Sequence, residues 1–306
     1  MAKYPIGKEF GIYRRLSPPI NRLVLSIAAK TMKPPKLLWK DTAVTIEKNS
    51  VKSYGGEEIA VYTITPRGLG DCAPCLLYNH GGAFVLEAAK YHYALALRYA
   101  RETGCKVVFP QYRLAPKYPF PVFFEDCYAA FLWAYDGAET LGIDRNRIGI
   151  GGDSAGSALA VSVCRMAHER GVSVRFRFQM LLYPYLDARN KSESARKYTD
   201  TPMWNSLLSG KMHKMTRADR NCPDFHYYSP VEAGDFGNTP PTYIETAEFD
   251  CLHDDGVLYA GLLSDAGVPV ELCETQGTMH GYDIALDAGI TQKSVEKRIA
   301  FMKKYF

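Results

Sequence analysis

Ser154 sits in Gly152-Asp153-Ser154-Ala155-Gly156, where small residues flank it closely enough for its hydroxyl to serve as a nucleophile. Glycines two residues either side let a strand turn sharply into a helix and leave the hydroxyl exposed at the turn. Taken alone, such a pattern is often an ordinary glycine turn, so the flanks decide. Ile148 and Ile150 predict a short buried strand before it. Ala155 to Arg170, closed by Gly171, predicts a helix after it. A second motif supplies what an attacking serine needs. Pro74 to His80 reads as a buried strand running into His80-Gly81-Gly82-Ala83-Phe84. Attack on an acyl carbonyl creates an oxyanion, and N–H groups of a glycine-rich turn can approach it unobstructed. With the N–H of the residue after the serine, the predicted oxyanion hole is Gly81, Gly82, Ala83 and Ala155.

A serine needs a base and an orienting acid, here expected in the order Ser, Asp or Glu, His. Five histidines follow Ser154: His168, His213, His226, His253 and His280. His168 lies on the helix leaving the serine, about 21 Å along its axis at 1.5 Å per residue, and cannot reach. His213 and His226 fall in an irregular insertion. His280 follows the strand-like run Val268 to Cys273, within a loop of small residues, Gly277 to Tyr282. Strand-end loops carry the reactive groups of α/β sheets. For the acid, Asp250, Asp254 and Asp255 follow the β-rich run Pro241 to Ala247. Asp250 comes first after the strand and is expected to hold the imidazole; Asp254 and Asp255 are expected to cap a helix beginning near Gly256.

These groups need a scaffold. Strands at Lys106–Pro110 and Val174–Tyr183 and helices at Val122–Tyr135 and Ser294–Lys303 alternate from residue 74 onward. Alternation of this kind predicts an α/β fold, a mostly parallel sheet with helices on both faces. Thr42 to Thr65, with Gly55-Gly56 at its turn, predicts a leading antiparallel hairpin. Two stretches fall outside the alternation. Residues 1–41 carry an amphipathic run (Ile20, Leu23, Val24, Ile27) closed by Pro34-Pro35. Residues 186–226 carry a charged run and then Met203, Trp204, Leu207, Leu208, Met212 and Met215.

The chain resembles the hormone-sensitive-lipase-like (bacterial family IV) carboxylesterases of the α/β-hydrolase fold. The matching stretches are His80 to Phe84, Tyr112-Arg-Leu-Ala-Pro116, Phe120-Pro121 followed by Glu125-Asp126, Gly152 to Gly156, Leu182-Tyr-Pro184, Asp250 to Asp254 and His280-Gly-Tyr282. The resemblance implies a serine esterase with the triad Ser154, Asp250 and His280. It also implies a helical cap made of residues 1–41 and the insertion at 186–226, over a catalytic domain spanning 42–306. Phe84, Trp204 and Leu208 are then expected to touch substrate, acyl chains of up to about six carbons are preferred, and Tyr112, Arg113 and Asp126 brace the loops. Three departures from the family pattern stand out: Ala83 for a third glycine, Cys251 and His253 for Pro and Arg in the acid loop, and Lys117 for an acidic residue. Ala83 is expected to keep a negative φ and a free N–H. The same residues would also suit a sugar deacetylase, amidase or lactonase. The similar plant gibberellin receptors add a non-catalytic alternative, though their triad is broken.

Composition narrows the partners. The net charge of +4 is small and dispersed, which argues against nucleic acid and membrane surfaces. Lys36, Lys40, Lys48 and Lys52 read as a solvated face. The sequence begins without an apolar leader, and no apolar run is long enough to span a membrane, so the expected location is cytoplasmic. Of eight cysteines, Cys105, Cys127, Cys164 and Cys273 lie in apolar patterns, as buried thiols do. Cys72-Ala-Pro-Cys75 has no second Cys or His pair nearby and reads as a turn. No metal and no cofactor are expected. A small-molecule ester is the expected partner, and a homodimer stays open.

Overall fold

The computed structural model describes residues 3–17, 19–21, 24–25, 32 and 41–306. Leu23, Ile27, Pro34, Pro35, Lys36 and Lys40 lie outside the described residues. β1 (Val44–Lys52) and β2 (Glu58–Pro66) form the antiparallel hairpin, turning through Gly55 and Gly56 at φ 74° and 79°. Alternating units follow: β3 (Ala73–Asn79), α1 (Lys90–Thr103), β4 (Lys106–Gln111), α2 (Val122–Asp136), β5 (Ile143–Asp153), α3 (Ala155–Glu169) and β6 (Gln179–Leu182). After an insertion come β7 (Thr242–Phe249), α5 (His253–Asp265), β8 (Val270–Met279) and a last helix, α6 (Gly289–Tyr305).

These strands make one eight-stranded sheet in the order β1-β2-β4-β3-β5-β6-β7-β8. Only the β1–β2 and β2–β4 pairings are antiparallel. The middle strands are apolar on both faces, with Leu76, Val107, Val108, Ile150, Leu181 and Leu182 wholly buried, as helix-covered parallel strands require. The β4 and β5 neighbours of β3 lie on opposite sides of it. Such a reversal opens a crevice at the carboxyl ends of the strands, where open α/β sheets hold their ligands.

Two strands differ from expectation. β6 has four residues rather than ten, because residues 174–178 approach β5 only through Arg177 N–H to Ile148 O and Ile150 N–H to Phe178 O. β8 is longer, running to Met279. Its pairing with β7 steps from Ala247↔Thr275 to Phe249↔Met279, a bulge that includes Gly277 at φ 68°. His280 is thereby delivered directly at a strand end.

The insertion contains a helical turn at Glu193–Lys197 and the helix α4 (Ser206–Thr216). Trp204, Leu208 and Met212 turn inward, while Leu207 points to solvent. N-terminal residues meet this segment: Met203 N–H donates to Leu16 O at 2.7 Å, and the Tyr4 ring sits 5.8 Å from Tyr198. Among the described residues no helix is long and apolar enough to cross a membrane. Cys105 and Cys127 are buried, whereas Cys164 and Cys273 are only half-buried.

Candidate active site

Ser154 turns the chain between β5 and α3 at φ 54°, ψ −122°. A non-glycine residue in that region costs about 1–3 kcal/mol and persists only where its surroundings insist on it. Here they do. Ser154 N–H donates to Leu182 O at 2.8 Å, and its carbonyl accepts from Ser157 N–H at 3.0 Å. The flanking glycines are dictated by space: a Cβ on Gly152 would lie 2.3 Å from Gly156 O, and one on Gly156 2.0 Å from Asn79 O.

His280 comes off β8 with Nε2 2.8 Å from Ser154 Oγ and Nδ1 2.7 Å from Asp250 Oδ2. Asp250 follows β7 and is fully buried; its other oxygen accepts from Leu252 N–H at 2.9 Å. A buried carboxylate at Nδ1 fixes the proton there and leaves Nε2 free to accept from the hydroxyl. His253 is placed elsewhere, between Asp254 at 3.0 Å and Glu274 at 2.9 Å. Asp254 and Asp255 do not cap a helix starting near Gly256, because α5 already begins at His253. Their carboxylates turn to the insertion instead. Asp254 accepts from Ser194 N–H, and Asp255 from the N–H groups of Leu186 and Asp187. Burial, then the neighbouring Asp187, pushes the Asp255 carboxyl well up.

The glycine-rich loop corrects two expectations. Gly81 N–H is already committed to Asp153 Oδ1 at 3.0 Å, so it cannot serve an oxyanion. Among the described residues no protein acceptor takes the N–H of Gly82, Ala83 or Ala155. Ala83 does not keep a negative φ. Gly82, Ala83 and Phe84 stand at φ 120°, 57° and 60°, so the loop curls left-handed through three residues. It is held by Val85 and Leu86 N–H donating to Gly82 O, and by Ala115 N–H donating to Phe84 O. The Ala83 methyl therefore pays a conformational penalty that a glycine would escape.

The comparisons with known proteins meet this geometry. The model of the alpha/beta hydrolase fold family matches residues 76–284, which contain Ser154, Asp250 and His280. The chain belongs to the α/β-hydrolase fold family, in its hormone-sensitive-lipase-like branch. It is similar to Carboxylesterase NlhH of Mycobacterium tuberculosis, 32% identical over 276 residues, which cover 89% of this chain and 85% of that one. It is also similar to an arylesterase of Saccharolobus solfataricus, 32% identical, with 68% of this chain and 67% of that one covered. Among solved structures it resembles a bacterial heroin esterase with TM-score 0.85 and 30% identity, covering 98% of each chain.

The hydrolase surrounds its reactive groups with residues the sequence reading missed. Asp153 Oδ1 also accepts from Tyr78 OH, at 3.0 Å, and Oδ2 lies 3.0 Å from His92 Nε2. Burial alone would raise the Asp153 carboxyl, but His92, His80 and the Gly81 N–H outweigh it and hold it below its usual range. Burial, then His92, drops His80 to about 3, so it is neutral at pH 7. Its Nδ1, 2.6 Å from Gly81 O, is then the donor. Tyr112 OH donates to His80 O at 2.8 Å, and Arg113 grips Asp126, bracing the loop as expected.

Behind His280, Arg298 of α6 is wholly buried and pairs with Asp283, at 2.7 Å, and with Glu245. Glu245 lies on the strand that carries Asp250, and Asp283 on the loop that carries His280. Tyr183 OH donates to Asp283 at 3.2 Å while its ring edge meets His280 at 5.1 Å. One signal was present: Arg298 shares the phase of Val295, Ile299 and Met302, an arginine inside an apolar helix stripe.

The three expected substrate contacts separate. Phe84 is wholly buried, stacked on Phe123 at 4.7 Å and packed against Phe124, Tyr185 and Tyr228, so it is core rather than a substrate contact. Trp204 lies 6.1 Å from the His280 ring. Leu208 is buried in the insertion helix. Among the described residues no group of three or more His, Cys, Asp or Glu is placed to hold a metal ion.

Proposed function

We infer that this carboxylic ester hydrolase cleaves short-chain acyl esters through an acyl-enzyme on Ser154. The observation that carries the reading is the line from Ser154 Oγ through His280 to Asp250, at 2.8 and 2.7 Å. His280 Nε2 takes the hydroxyl proton as Oγ attacks the ester carbonyl. The N–H groups of Gly82, Ala83 and Ala155 receive the oxyanion, and Asp250 supports the imidazolium. The alcohol leaves with the proton from Nε2. Water, deprotonated by His280, then attacks the acyl carbon and releases the acid.

The insertion and the N-terminal residues act as a cap over this site, a reading supported by Trp204 beside His280 and by the Leu16–Met203 and Tyr4–Tyr198 contacts. A cap that closes one end of the acyl site favours chains of up to about six carbons, since each further CH₂ stabilises by roughly 0.8 kcal/mol only where there is room to bury it. Eight free cysteines support a reducing, cytoplasmic setting. The names of the related esterases support esters over amides or lactones. A fluorophosphonate probe tests the core of the reading. It should label the native protein once, at Ser154 by peptide mapping; no labelling would favour a receptor.

A further inference from the structure

Trp204 is held beside the His280 imidazole by hydrogen bonds at its indole, at its carbonyl and at the residue before it. Its indole Nε1–H donates to Ser209 Oγ at 2.9 Å, and Ser209 is itself buried in the insertion helix. Its carbonyl accepts from Thr201 Oγ1 at 2.7 Å. The residue before it, Met203, stands at φ 65°, a conformation a methionine adopts only when its surroundings over-determine it. Met203 N–H is tied to Leu16 O. This turn presents the indole 6.1 Å from the imidazole centroid, at 39° to its plane. Tyr183 meets the same imidazole edge-on and is sealed from solvent. Two rings thus pack on the imidazole, one from the end of β6 and one from the insertion.

The chemistry of the step gives a role to the surface that Trp204 and His280 form together. In the tetrahedral intermediate the oxyanion points toward Gly82, Ala83 and Ala155. The leaving oxygen must point toward His280 Nε2, because that atom returns the proton. The alcohol of the ester, not its acyl chain, therefore departs along the His280 side. The geometry points to Trp204 as the wall of the alcohol subsite, setting which leaving alcohols this hydrolase accepts, with Ser209 as the residue that positions the indole. Flat or bulky apolar alcohols are the class such a wall suits. This assignment rests on the acyl-enzyme reading.

Two ester series test it, with Trp204→Ala, Trp204→Phe and Ser209→Ala each normalised to active sites by fluorophosphonate titration. One series holds the acyl group at acetyl and varies the alcohol through methyl, butyl and benzyl. The other holds the alcohol at butyl and varies the acyl group from acetyl to hexanoyl. kcat/KM covers all steps through departure of the alcohol, so it registers the alcohol subsite directly. Trp204→Ala should cut the benzyl-to-methyl ratio by about tenfold or more, equivalent to about 1.4 kcal/mol, while the acyl series keeps its order within about twofold. Trp204→Phe and Ser209→Ala should move the ratio the same way by less, which keeps the test alive if the alanine variant at 204 folds poorly. A uniform loss across alcohols, or a reordered acyl series, overturns the assignment. A wild-type protein that neither labels nor turns over any ester overturns the acyl-enzyme reading along with it.

Discussion

On one side of Ser154, Asp250 and His280 approach the hydroxyl as side chains braced by other side chains, down to the buried Arg298 with Glu245 and Asp283. On the other side, Gly82, Ala83 and Ala155 offer backbone N–H groups whose directions are set by torsion angles and by a few pinned peptides. The first side depends on residue identity, so replacing one reactive group removes its chemistry outright. The second depends on conformation, so damage there should be graded and should follow how far a substitution moves the loop.

Breaking the side-chain half should have the largest effect. Ser154→Ala or His280→Ala should lower kcat by on the order of 10⁶ without altering the far-UV spectrum. His253→Ala should keep most of its activity, because that ring serves a surface carboxylate pair. The reverse pattern between the two histidines in steady-state kinetics would mean that the imidazole has been misassigned. Asp250→Asn keeps the shape but presents the wrong hydrogen-bonding group to Nδ1, and should cost about 10⁴ in kcat. An active-site titration would show whether the loss is per site.

The backbone half should break more softly. A Cβ on Gly81 would meet Asp153 Oδ2 at 2.3 Å, so Gly81→Ala must shift the loop although its N–H is not an oxyanion donor. The expected loss is about 10²–10³ in kcat, the cost of one misplaced donor, with a smaller change in KM. Wild-type kinetics in that variant would detach the loop from catalysis. Ala83→Gly is the smallest and sharpest test. Relieving an alanine from φ 57° should stabilise the fold by about 1 kcal/mol in denaturant unfolding and change kcat/KM for an acetate ester by less than about tenfold. A gain of a hundredfold or more would show that the natural loop aims its donors badly.

The same division explains what could be read in advance. The strand–serine–helix turn, the strand-end histidine and the first aspartate after β7 are fixed by residue type at short spacing, and the structure brings those three side chains together. Gly81's engagement could not be read, because its acceptor lies 72 residues away on Asp153. Ala83's sign of φ could not be read either. Alanine's general preference pointed one way, and the hydrogen bonds to Gly82 O and Phe84 O decided the other. Phe84 was expected at the site from the family resemblance, yet the left-handed loop turns its ring into the core, where it stacks on Phe123. β6 fell short of its apolar run because the run includes a crossing segment as well as a strand.

The first turn of α5 has two attachments. It follows directly from Asp250, and its own Asp254 and Asp255 grip the N–H groups of Ser194, Leu186 and Asp187. The insertion is therefore not an exchangeable module. A chimera that grafts a relative's insertion onto this chain keeps the contacts of Asp255, five residues past Asp250, only where its backbone brings N–H groups to the places now held by those of Leu186 and Asp187. What such a graft has to preserve is the path of the main chain at residues 186, 187 and 194, not the side chains there.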